Sequence, residues 1–145
     1  MPNALSSLII ADASCLIGLT NINLLDILRA LYGTVTITPE IAAEYGLDLP
    51  DWITVASVKN TVLQAAIQSD LHPGEASAIA LALENPDSLV VLDDKKARRY
   101  AVNLGLTITG TMGIVVSAEE SGIIKNADEV FEQLRKIGFR LPNLP

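Results

Sequence analysis

Apolar residues recur along this chain in two alternating rhythms. Short β-branched or aliphatic runs, each closed by a polar or turn-forming residue, predict buried strands. Stretches with apolar residues three and four apart predict helices. The first run, Leu8-Ile9-Ile10-Ala11, predicts a strand over residues 7–11 that ends on Asp12. Ser14 suits the N-cap of a helix from Cys15, and Asn23 that of a second helix over 24–31, closed by Gly33. Residues 34–38 form a β-branched strand. Thr38-Pro39 then reads as an N-cap followed by proline at the first helical position. Gly46 and Pro50 end that short helix. The run over 53–58 suits an edge strand or a connection, and 60–69 a helix stopped by His72-Pro73-Gly74. After Glu75 the chain is almost wholly apolar to Leu83, which predicts a buried helix.

The run Leu89-Val90-Val91-Leu92 ends abruptly on Asp93-Asp94, and a basic helical segment follows to Asn103. A last strand is expected over 106–109, a helix opened by Gly110-Thr111-Met112-Gly113 to Glu120, and a final amphipathic helix over 127–137. Repeats, low-complexity segments and inter-domain linkers are absent. The chain reads as one domain over residues 1–145, with 139–145 a loosely held tail containing two prolines. Strands alternating with helices predict an α/β fold of three layers, a mostly parallel central sheet flanked by helices.

Composition sharpens this picture. A chain of 145 residues can bury one real core. Half of it is hydrophobic but only 4% is aromatic, so the core must be aliphatic, as buried parallel strands require. The net charge of −7 excludes a general basic coat for nucleic acid. It does not exclude a nuclease, because bound cations offset a carboxylate cluster locally. No apolar run approaches the roughly 18–20 residues of a membrane span, so no membrane association is expected. Without a basic, apolar N-terminal signal the default location is the cytoplasm. Cys15, the single cysteine, excludes an intramolecular disulfide framework.

The acids fall at particular places. Asp12 and Asp93/Asp94 follow strands, Glu40 or Glu44 lies in the helix after the second strand, and Glu75 opens the buried helix. Ligands of open α/β sheets bind outside the carboxyl ends of the strands. Carboxylates gathered there are natural ligands for Mg²⁺ or Mn²⁺. Each acid also has a plainer role: a turn for Asp12, a helix-dipole partner for Glu40 and Glu75, an N-cap for Asp94. Lys95, Arg98 and Arg99 share a helix face beside this edge, where they would meet RNA phosphates or simply solvent. His72 precedes a proline in a loop and has no positioned partner for acid–base work.

These motifs together resemble the PIN-domain family, most closely its small prokaryotic branch. The branch's Gly-Glu-x-x-Ala-Ile reads Gly74-Glu75-Ala76-Ser77-Ala78-Ile79, and its Asp-Asp/Glu-x-x-x-Arg reads Asp93-Asp94-Lys95-Lys96-Ala97-Arg98. The opening strand-Asp is matched by Ile9-Ile10-Ala11-Asp12, the Pro-x-x-x-x-Glu by Pro39 and Glu44, and the Gly-Thr-x-Gly by Gly110-Thr111-Met112-Gly113. The resemblance implies a PIN-like sheet and a metal-dependent ribonuclease using Mg²⁺ or Mn²⁺. Asp12, Glu44, Glu75 and one of Asp93/Asp94 would be its metal-binding and catalytic acids. Many such proteins are toxins of toxin–antitoxin pairs, so the partners implied are RNA and an antitoxin. Where many relatives carry a further acid, this chain has Gly110-Thr111, and Thr111 is a candidate RNA contact beside Lys95, Arg98 and Arg99. Between the paired acids, the strand delivers Asp93 to the sheet edge and leaves Asp94 to cap the next helix. A homodimer is expected from the apolar helices around 15–31 and 60–70. The alternative is a PIN fold kept as a nucleic-acid-binding or assembly module without catalysis. A receiver domain would need a lone phosphorylatable Asp in mid-chain and a lysine after the last strand, neither of them cleanly present, since Lys125 comes only one helix later; a haloacid-type phosphatase would need Asp-x-Asp after the first strand, where Asp12-Ala13-Ser14 stands.

Overall fold

The structure, a computed structural model, describes residues 7–141. Five three-residue strands, β1 (Ile9–Ala11), β2 (Val35–Ile37), β3 (Ile53–Val55), β4 (Leu89–Val91) and β5 (Thr107–Thr109), form one sheet. Their order is β3-β2-β1-β4-β5 and every pairing is parallel. Eight helices, joined to the strands by turns and loops, complete the described elements: α1 (Ala13–Asn21), α2 (Asp26–Tyr32), α3 (Pro39–Tyr45), α4 (Thr61–Gln68), α5 (Pro73–Glu84), α6 (Lys95–Asn103), α7 (Thr111–Glu120) and α8 (Ala127–Lys136). Successive residues of a strand face opposite sides of the sheet. All three residues of β1 and of β2 are buried, so both faces are covered and the fold has the expected three layers. The edge strands β3 and β5 are the exposed ones, and threonine is admitted there.

Small residues let α5 lie close against β1 and β4. Ala76, Ala78, Ala80 and Ala82 are all fully buried. Its Ser77 hydroxyl donates to Gly74 O at 2.7 Å and stands 2.6 Å from the Thr38 hydroxyl. Each hydroxyl has one proton, so Thr38 donates to Ser77 while its own oxygen accepts from Ile41 N at 3.2 Å, capping α3 as expected. The N-terminus of α3 is thereby tied to that of α5, which fixes the helices bearing Glu44 and Glu75.

Several helix starts differ from expectation. Asp12, not Ser14, caps α1, accepting from Cys15 N at 3.0 Å. Asn23 is no cap for α2. It sits in the left-handed region at φ 62, which asparagine tolerates, and α2 starts at Asp26. His72-Pro73-Gly74 does more than stop α4, since Pro73 is the first residue of α5. The segment expected as a loose tail begins with Phe139 and Leu141 packed on the α7–α8 cluster, and residues 142–145 lie outside the described part. Among the described residues no single helix is long and apolar enough to cross a membrane. Leu16 and Leu19 of α1 enter the core, while Ile17 on the same helix stays 38% exposed and Val62 on α4 80%.

Candidate active site

The strand order reverses between β1 and β4. From β1 the chain steps outward to β2 and β3, then returns across the sheet to β4 and β5. That reversal opens a crevice at the carboxyl ends of the strands. Asp12 leaves β1 there and Asp93 follows Leu92 just beyond β4, with Ala11 registered against Val91. The backbone ties the two together: Asp12 N donates to Val91 O at 3.1 Å, and Asp93 N donates to Asp12 Oδ2 at 3.1 Å.

Each carboxylate is fixed by hydroxyls and N–H groups rather than by cations. Ser14 Oγ lies 3.1 Å from Asp12 Oδ2 and 3.0 Å from Asp93 Oδ2. The α7 N-terminus holds Asp93 from its other side, with Thr111 N donating to Oδ1 at 2.8 Å and Thr111 Oγ1 to Oδ2 at 2.7 Å. Among the described residues the one ion pair is Arg135–Glu132, on the surface. Asp12 is 5% exposed. Burial, then the neighbouring Asp93 charge, raises its pKa to about 7, against the smaller opposing effect of its N–H and hydroxyl donors. Ser14 has one proton for two carboxylate oxygens. Without a cation, a proton on Asp12 satisfies the second contact, which agrees with the direction of that shift. Burial also pushes the Cys15 thiol up, helped by Asp12 and Asp93, so the cysteine stays protonated beneath the pair.

A cleft of about 1280 Å³ opens over the pair and is lined by Asp12, Glu44, Glu75, Asp93, Asp94, Lys95 and Arg98 among others. It exceeds the roughly 300–1,000 Å³ of a small-ligand pocket, as an extended substrate would need. The Glu75 pKa is raised by partial burial, then by the Asp94 and Glu44 charges. Glu75 is also half of a helix cap, since His72 N donates to its Oε1 at 3.4 Å. Gly74 explains why Glu44 reaches the same cleft. A Cβ at position 74 would overlap the Glu44 carboxylate. Glu40, one turn earlier on α3 and not on the cleft wall, accepts instead from Gln64 Nε2. Asp94 caps α6, accepting from Ala97 N at 3.0 Å.

The basic residues separate. Lys95 and Arg98 line the cleft, whereas Arg99 is exposed on α6 outside it. Arg98 Nη1 donates to Leu92 O at 2.8 Å, packed so near Gly110 that a Cβ there would lie 2.7 Å from it. Thr111, a candidate RNA contact in the sequence, lies beneath Asp93. It is fully buried and both of its donors face Asp93, so it positions that carboxylate. We expect Thr111→Val, which keeps the volume and removes the hydroxyl, to lower Mn²⁺ affinity by about 10–100-fold, as loss of a supporting partner does. Titration calorimetry checks this, and unchanged affinity would show that Thr111 N alone holds Asp93.

The donor set suits a hard divalent cation. All the acids offer oxygen, and among the described residues no basic side chain forms an ion pair with the central two. Among the described residues no three candidate ligands close on a single point. Mg²⁺ typically takes only one or two protein carboxylates and completes its shell with water and substrate phosphate. The Asp12–Asp93 pair meets that requirement, with Glu44 and Glu75 on the cleft wall.

No curated protein and no solved structure matches the chain. A family model described as a PIN domain matches residues 8–144. That match spans every strand and every acid of the cleft, and the parallel sheet with its acidic switch point is the nuclease-type architecture it implies: the chain belongs to the PIN-domain family.

Proposed function

We propose that this protein is a metal-dependent endoribonuclease, the cytoplasmic toxin of a toxin–antitoxin pair. One observation carries the reading: a pair of carboxylates, buried Asp12 and part-buried Asp93, bridged by Ser14 and without an ion-pair partner among the described residues, at the floor of an open cleft that Lys95 and Arg98 also line. Asp12 and Asp93 would hold Mg²⁺ or Mn²⁺, with Glu75 and Glu44 beside them and Asp94 capping. The ion when bound supplies an activated water and offsets charge on the phosphate. The chain's own residues do the rest. Ser14 and Thr111 hold the carboxylate oxygens in place, and the central pair would have to be deprotonated to hold a cation. Lys95 and Arg98 would orient the strand through its phosphates.

Cleavage of single-stranded RNA in Mn²⁺, lost in EDTA, tests the reading directly. RNA left intact in Mn²⁺ by wild-type protein would favour the alternative, a binding module without catalysis. That alternative draws on Thr111 standing where relatives place a further acid. As partners we propose an antitoxin segment covering the cleft and a second copy of the chain, for which Val62 and Val102, 80% and 55% exposed, are available apolar contacts. Light scattering that shows only monomer at high concentration would remove the dimer.

A further inference from the structure

The cleft has a wall that the carboxylate chemistry does not use. α8 ends in a glycine turn: Gly138, at φ 84, donates to Arg135 O at 3.0 Å, and Phe139 N donates to Leu134 O at 2.9 Å. This pairing of bonds is the Schellman motif, which needs a left-handed residue and seats the next side chain against the last helical turn. Phe139 fits against Gly18 of α1, where a Cβ would lie 2.7 Å from its ring. A helix turn and a missing side chain thus fix the direction of the chain beyond α8. The residues so directed, Gly138 to Leu141, line the same cleft as Asp12 and Asp93.

Arg140 is the cation this places there. It is exposed, and among the described residues no acid pairs with it. A cleft rich in carboxylates repels a phosphate strand, so binding needs cations along its walls. Lys95 and Arg98 supply them from α6, and Arg98 already gives one donor to Leu92 O. We infer that Arg140, held at the cleft by the Phe139–Gly18 seat, is a further backbone-phosphate contact for single-stranded RNA. This rests on the nuclease reading and adds a binding residue to it.

The test is anisotropy of a short fluorescein-labelled single-stranded oligoribonucleotide in EDTA, at several salt concentrations. Each phosphate contact contributes about 0.7 to the slope of log affinity against log salt on single strands. Arg140→Gln is expected to weaken binding and reduce that slope by about 0.7. Lys125→Gln, an equal charge change on an exposed residue away from the cleft, is expected to leave the slope unchanged. Gly18→Ala removes no charge but unseats Phe139, and is expected to weaken RNA binding while Mn²⁺ affinity stays at the wild-type value. An Arg140→Gln slope equal to that of Lys125→Gln overturns the inference. If wild-type protein still cleaves RNA in Mn²⁺, the nuclease reading survives that result. If wild-type protein neither binds nor cleaves RNA, both fall.

Discussion

Purified Asp12→Asn is expected to lose Mn²⁺ binding, to leave RNA uncut, and yet to melt later than wild type in EDTA above pH about 7. The first two effects follow from removing a carboxylate at the switch point. The third follows from the raised Asp12 pKa. An acid whose folded pKa lies above its unfolded value stabilises the fold at low pH and loses that contribution as pH rises. In metal-free wild type, stability should therefore fall between the ordinary value of 3.8 and about 7, then level off. A shift of that size is worth a few kcal/mol. The substituted amide carries no charge and escapes this loss. It has its own cost, because its one oxygen can accept from Cys15 N or from Asp93 N but not from both. Below the transition, where Asp12 is protonated, the mutant should be the less stable protein. The sign of the difference in melting temperature should thus reverse with pH. A mutant that keeps cutting RNA in Mn²⁺ would sink the mechanism. A constant offset in melting temperature would show that Asp12 is not the titrating group.

The neighbouring acids Asp93 and Asp94 should behave oppositely. Asp93 N and its carboxylate are built into the pair with Asp12, Ser14 and Thr111. Asp94 accepts from Ala97 N and begins α6. Asparagine caps a helix about as well as aspartate, so Asp94→Asn should change stability by only a few tenths of a kcal/mol, and Asp94→Ala should cost about 1 kcal/mol. Asp93→Asn should abolish calorimetric Mn²⁺ binding, whereas Asp94→Asn should retain it. The reverse pattern would move the ligand one residue along the chain.

The strand-ending acids are legible in the sequence because a short aliphatic run closed by aspartate marks both a buried strand and the edge where it surfaces. The helices between the strands make the parallel pairing legible, but the order of the strands is fixed only by the tertiary packing. Local chemistry is less legible where two residues share one talent: Asp12 and Ser14 both cap helices well, and only the tertiary partner Asp93 decides which does. Thr111 resembles a solvent-facing residue in sequence, yet the carboxylate it supports is brought to it by pairing of β4 with β5. Gly74 reads as part of a helix stop, and its need to leave room for Glu44 depends on how α3 meets α5. Phe139 sits next to proline-rich chain, and nothing local signals the notch at Gly18.

The central position of β1 has a bearing on how the protein is made. During synthesis Asp12 and the Cys15 N–H that binds its Oδ1 emerge together, but the N–H that binds its Oδ2 belongs to a residue 81 positions later, and Thr111 comes 18 after that. At about 5–20 residues per second, translation separates these events by several seconds. A nascent chain in that interval can fold local helices, but the middle of its sheet waits for β4, a pairing of long sequence separation. The acidic pair is therefore complete only once the chain has been made through Thr111. A product released before Gly110 carries Asp12 and Asp93 without the Thr111 donors that set their geometry, so premature termination yields fragments without an assembled acidic centre.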